Sequence, residues 1–191
     1  MPKPLTIAVI IGSLRKESFT RKFARAAIAQ AAEEMQCRIV EIGDLAMYNQ
    51  DLDDNPPEAW ERFRGEIAKA DGVLFLTPEY NRSIPACIKN AIDIGSRPAG
   101  KNGWDGKPAG IISVSPYKLA AFGANHALRQ VLVFINMPVM QQPEAYIGNA
   151  VDLLAADGTL NNADTAKFLQ KFMRALGQGV KTVKPAGAPA M

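Results

Sequence analysis

Histidine is nearly missing from this chain: one, His126, occurs among 191 residues. The two cysteines, Cys37 and Cys87, form no Cys-x-x-Cys pair. A zinc site built on His and Cys draws on three or four such ligands, so none is expected, and the cysteines read as reduced, buried thiols. With a single histidine, no Ser-His-Asp or Cys-His catalytic set is apparent, and His126 is expected to be structural or superficial. No run approaches the roughly 20 apolar residues of a membrane span. Gly-x-x-x-x-Gly-Lys-Ser/Thr is absent, which argues against a nucleoside triphosphatase. Gly-x-Gly-x-x-Gly is absent too, which leaves a dinucleotide-binding crossover without support. The net charge of +3 is too small to argue for nucleic acid. The acidic pentamer Asp51–Asn55 lacks the glycine and distal glutamate of a calcium loop and reads as a solvated turn.

What the chain has is apolar sequence, 48% of it, in short β-branched runs separated by helical patterns. Leu5–Ile11 leads into Gly-Ser-Leu-Arg-Lys with no small-residue cleavage site, so it is read as a first strand and not a signal peptide. The expected location is the cytoplasm. A helix is predicted over about 19–35, a strand over 37–42 and a helix over 58–70. A strand follows over 72–76, then helical spacing from Ile84 through Ile92, capped by Ser83. Beyond it come a strand over 108–115, a helix over 119–136, a short fifth strand at Pro138–Gln141 and a last helix capped by Asn161 or Asn162. Strands alternating with helices predict an α/β domain with a five-stranded parallel sheet covered by helices on both faces. Five strands suit the flavodoxin-like order 2-1-3-4-5. Residues 1–180 are expected to form that single domain, with 181–191 as a flexible tail.

In this topology three loops share the carboxyl edge of the sheet: 12–20, 77–83 and 115–122. The first carries Ser13, Arg15, Ser18 and Thr20 and opens a helix, where N–H groups and the dipole favour an anion. Two readings of it stand, a mononucleotide phosphate site and an ordinary capped helix. The second carries Pro78, Glu79, Tyr80 and Asn81. It could present backbone groups and a ring to a planar ligand, or be a plain turn before a helix. Arg15, Arg82, Arg97, Lys101 and Lys118 either rim that edge and attract anions or are scattered solvated charges.

Gly12-Ser13-Leu14-Arg15 with Ser18-Phe19-Thr20, followed by Thr77–Pro85 and by Lys89-Asn90-Ala91-Ile92-Asp93, resembles the NADPH-dependent FMN reductase family. The likeness is nearest to its bacterial chromate and quinone reductase branch and spans roughly 5–177. It implies a flavodoxin-like fold and non-covalent FMN reduced by NADPH or NADH, with the flavin carrying the chemistry and no catalytic side chain required. It implies a phosphate loop at Ser13, Arg15, Ser18, Phe19 and Thr20, an isoalloxazine loop at Pro78, Glu79, Tyr80 and Asn81, and a third contact at Ser115. Arg82, Arg97, Lys101 and Lys118 become candidates for contacting substrate. Small oxidants such as quinones or chromate, taken by ping-pong exchange, are the implied acceptors. A homodimer or homotetramer is implied as well, through Arg129, Glu144 and Tyr146. The chain departs from the family after Ser115, where many relatives have a glycine-rich run and this one has Pro116-Tyr117-Lys118-Leu119-Ala120-Ala121-Phe122-Gly123. An electron-carrier flavodoxin is the alternative, disfavoured by the positive charge. A flavin-free α/β module using the anion site for regulation is a third.

Overall fold

The computed structural model describes residues 4–183. Five parallel strands stand in the order β2-β1-β3-β4-β5: β1 (Leu5–Ile11), β2 (Met35–Val40), β3 (Gly72–Thr77), β4 (Ala109–Val114) and β5 (Ala145–Ile147). Strands β3 and β4 are buried along their whole length, as their unbroken apolar runs require. Side chains alternate across the sheet. From β1, Ile7, Val9 and Ile11 join the core under helices α1 (Phe19–Ala29) and α5 (Ala163–Val183). Ala8 and Ile10 join the opposite core, under α2 (Glu58–Ala68), α3 (Ala86–Gly95) and α4 (Phe122–Phe134). The predicted order and the two-sided helical cover are both found.

Several boundaries differ from expectation. Helix α1 stops at Ala29, and Met35, predicted on its apolar face, opens β2 instead. The fifth strand is not Pro138–Gln141. That segment makes only two backbone bonds with the foot of β4, Ala109 N–H to Pro138 O at 2.9 Å and Met140 N–H to Ala109 O at 2.8 Å. Pro143, which has no N–H for a ladder, then breaks the run, and Ala145–Ile147 pairs with Ile112–Val114. Helix α5 continues through Lys181, Thr182 and Val183, where a flexible tail was expected; the remainder, 184–191, lies outside the described residues. Asn162 does cap this helix, its Oδ1 accepting the Thr165 N–H at 2.9 Å. Asp51–Asn55 is only partly a solvated turn: Asp53 accepts from the Tyr48 hydroxyl at 2.9 Å and pairs with Arg64 at 3.5 Å.

Candidate functional site

The first loop follows β1 at Gly12, whose N–H donates to Leu76 O at 2.8 Å and so ties the loop to the end of β3. Gly12 has no space for a side chain: a Cβ there would overlap Ile88. Ser18 caps α1, its Oγ accepting the Arg21 N–H at 3.2 Å. No acidic residue sits in the first turn of this helix, so its positive end is unopposed. Ser13 and Thr20 are 6% and 2% exposed, and among the described residues their hydroxyls have no protein partner. Arg15 donates to Glu17 O at 2.7 Å and lies 5.2 Å from the centroid of the Phe19 ring.

The second loop is a tight turn. Tyr80 and Ser83 exchange both backbone bonds, at 3.0 and 2.9 Å, with Asn81 (φ 50°) and Arg82 (φ 65°) both left-handed between them. Ser83 is therefore part of this turn and not the cap of α3, which begins at Ala86 behind Pro85 without a side-chain cap. Glu79 has a capping role that spacing did not reveal. Its Oε2 accepts the Ala124 N–H at 3.1 Å in the first turn of α4, and its Oε1 lies 3.3 Å from Arg82. Helix α4 begins at Phe122, three residues later than expected, because Ala120 and Ala121 are left-handed.

The third loop leaves β4 at Ser115, whose Oγ accepts the Tyr117 N–H at 3.1 Å. The three loops enclose a cavity of about 300 Å³ lined by Ser13, Arg15, Ser18, Phe19, Thr20, Pro78, Glu79, Tyr80 and Ser115, together with Val114, Pro116 and Tyr117. Nine of the ten residues expected at the cofactor thus line one cavity. Asn81 does not line it; it is spent on the tight turn. Tyr117 was not singled out by the spacing of polar residues, since nothing in a local pattern shows which way an exposed ring leans.

The basic residues do not gather as one rim. Arg82 is turned toward Glu79, with 76% of its side chain exposed, and Lys118 is exposed beside Tyr117. Arg97 and Lys101 follow α3, which runs about 15 Å away from the carboxyl edge. Arg97 lies instead in a separate groove between α3 and α4, with Ser96, Gln130 and Phe134. Arg129, Glu144 and Tyr146 come together within the chain. Arg129 donates to Met140 O at 3.1 Å and lies 3.7 Å from Glu144. Burial and the Glu144 carboxylate push the Tyr146 phenol above its ordinary value. His126 packs within the chain, its Nε2 3.2 Å from the Tyr146 hydroxyl and its ring 4.2 Å from that of Phe122.

A phosphate-bearing cofactor fits these residues: the Ser13 and Thr20 hydroxyls, without protein partners among the described residues, the start of α1, the Arg15 guanidinium and the Tyr80 ring all line one cavity. The comparisons agree. A quinone reductase from Pseudomonas putida is 54% identical over 182 residues, 95% of this chain and 97% of its own. A 2-hydroxy-1,4-benzoquinone reductase from a Burkholderia species is 43% identical over 169 residues, 88% and 92% of the two chains. The solved structure of the flavoenzyme NAD(P)H:(acceptor) oxidoreductase from Paracoccus denitrificans superposes with a TM-score of 0.88 at 42% identity, covering 93% of this chain and 98% of that one. The family profile described as NADPH-dependent FMN reductase matches residues 5–152, and with relatives this near over nearly the whole length, the chain belongs to the NADPH-dependent FMN reductase family.

Proposed function

We propose that the protein is an FMN-dependent NAD(P)H oxidoreductase whose acceptors are quinones, with chromate as a further small oxidant. The observation that carries this is the cavity enclosed by the three loops, lined by Ser13 and by Thr20 in the first turn of α1, whose hydroxyls have no protein partner among the described residues. Ser13, Thr20, Arg15 and the first N–H groups of α1 hold the phosphate; Ser18 fixes that helix start and Phe19 braces Arg15. Pro78, Glu79, Tyr80 and Ser115 border the ring system, and Asn81 shapes the turn that carries Tyr80. When bound, FMN accepts hydride from NAD(P)H and passes the electrons to the oxidant. The side chains bind and orient; none has to take a proton. Donor and oxidant use the same mouth in turn, which gives ping-pong kinetics.

Arg82 and Lys118 flank that mouth from outside the cavity wall and act on anionic oxidants by attraction alone. Arg97 and Lys101 lie too far along α3 to do so within one chain, and they contact substrate only across a subunit interface. A homodimer or homotetramer supplies it. The exposed apolar end of α4, with Phe134 90% and Val133 68% exposed, supports that assembly. Sedimentation of the Phe134→Asp variant as a smaller species than the parent tests it. Among the described residues no helix is long and apolar enough to cross a membrane. We place the protein in the cytoplasm.

Anaerobic titration decides the reaction. Protein purified with FMN shows absorbance near roughly 450 nm. That band bleaches on adding NADPH or NADH without any partner protein, and returns when a quinone is added. A band that persists with both nicotinamides would indicate the electron-carrier reading instead.

A further inference from the structure

The turn between Ser115 and α4 has an unusual build. Ala120 (φ 54°) and Ala121 (φ 57°) occupy two successive left-handed positions, which a Cβ disfavours and glycine ordinarily fills. Glycine would suit this backbone; this chain places alanine at both positions. It is pinned at several points. Besides the Ser115–Tyr117 bond, the Ala120 N–H donates to Tyr117 O at 3.1 Å and the Phe122 N–H to Leu119 O at 3.0 Å. The buried Ser113 hydroxyl donates to Ala120 O at 2.7 Å. Gly148 lies directly beneath, where a Cβ would stand 3.2 Å from Tyr117 O.

A fixed turn of this kind holds Tyr117 against the cavity mouth with 76% of the residue exposed, and its hydroxyl has no hydrogen-bond partner among the described residues. Tyr80 lines the same cavity and is 53% exposed. Both tyrosines are referenced to one helix start: Glu79, beside Tyr80, caps α4 at Ala124, and the turn carrying Tyr117 runs straight into that helix. Two exposed rings held at one mouth suit a flat aromatic ligand and do nothing for a compact ion. Strained backbone maintained beside a cavity is a common mark of such sites.

We propose that Tyr117 is a specificity-determining residue of this site, an aromatic wall that favours planar, uncharged quinones over compact inorganic anions as oxidants. The proposal rests on the flavin reading above and deepens it. Its test uses FMN-loaded protein and the variants Tyr117→Ala and Tyr117→Phe. The readouts are the ratio of kcat/KM for 1,4-naphthoquinone to that for ferricyanide, and the dissociation constant of 2-naphthol, which is planar and takes no electrons. Tyr117→Ala is expected to lower the ratio and weaken 2-naphthol binding, each roughly three- to ten-fold, the range of one aromatic contact. Tyr117→Phe restores both, because the ring and not the hydroxyl does the work. An unchanged ratio and unchanged 2-naphthol binding in Tyr117→Ala, with the flavin band still bleached by NADPH, overturns the role of Tyr117 alone. A parent protein that takes up no FMN overturns the flavin reading and this proposal together.

Discussion

Glu79 shows how one side chain can serve a site without reacting. Its carboxylate closes the start of α4, which has no cap of its own because Ala121 is left-handed and carries no hydrogen-bonding atom. Loss of a helix cap costs typically about 1 kcal/mol. For a chain of this length that is a fall of roughly 2–4 °C in Tm. Glu79→Ala is expected to show that fall in a thermal melt and also to raise the FMN dissociation constant, since the turn bearing Tyr80 loses its anchor. Cys37 makes a prediction of another kind. Burial pushes its thiol from the ordinary 9.0 up to about 11. An unfolded chain would ionise that group near 9.0 while the folded chain keeps it neutral, so the unfolded state binds fewer protons across this window. The contribution of Cys37 to stability is therefore complete below the unfolded value and lost as pH rises from 9.0 to about 11. Urea midpoints of the parent are expected to drop further than those of Cys37→Ala over that interval.

Among the elements, α3 illustrates a close approach that a pattern of apolar residues does not disclose. Its last residue, Gly95, lies under the Trp104 indole, whose Nε1 donates to Ile92 O at 2.9 Å. A Cβ at Gly95 would stand 2.5 Å from that nitrogen. Gly95→Ala is expected to destabilise the fold by about 1–3 kcal/mol through overpacking, read as a lowered denaturation midpoint with an unchanged slope. Strand β5 was misplaced for a related reason. Only three residues long, it is held less by its own composition than by what reaches it. Buried Asn125 and Ser113 lie 3.5 and 3.4 Å from Ala145 O, and Arg129 fixes Asn125 through its Oδ1 at 3.1 Å. Those partners lie 20 and 32 residues away along the chain, outside any window in which local spacing operates.

At the scale of the whole molecule, cofactor binding and folding are one equilibrium. A ligand that binds only the folded chain stabilises it by about 2.7 kcal/mol at one hundred times its dissociation constant. Stripped protein titrated with FMN is therefore expected to rise in Tm with the logarithm of FMN concentration. The double variant Ser13→Ala, Thr20→Ala is expected to need more FMN for the same rise, because it lacks both partnerless hydroxyls. A fall in Tm of the stripped double variant equal to its deficit with FMN would assign those hydroxyls to folding instead.

Unbroken apolar runs and helical spacing were enough, by themselves, to determine the alternation of strand and helix and with it a parallel sheet, because burial on two faces demands that periodicity; the order 2-1-3-4-5 came from the habit of five-stranded sheets of this kind and from no particular residue. The residues singled out between Gly12 and Thr20 and between Pro78 and Tyr80 do line one cavity. Tertiary structure alone decided that Asn81 shapes a turn, that Glu79 caps a distant helix, that Arg97 and Lys101 lie away from the cavity, and that Tyr117 stands at its mouth. Each of those outcomes depends on where a side chain meets atoms from another part of the chain, and local periodicity contains no record of that meeting.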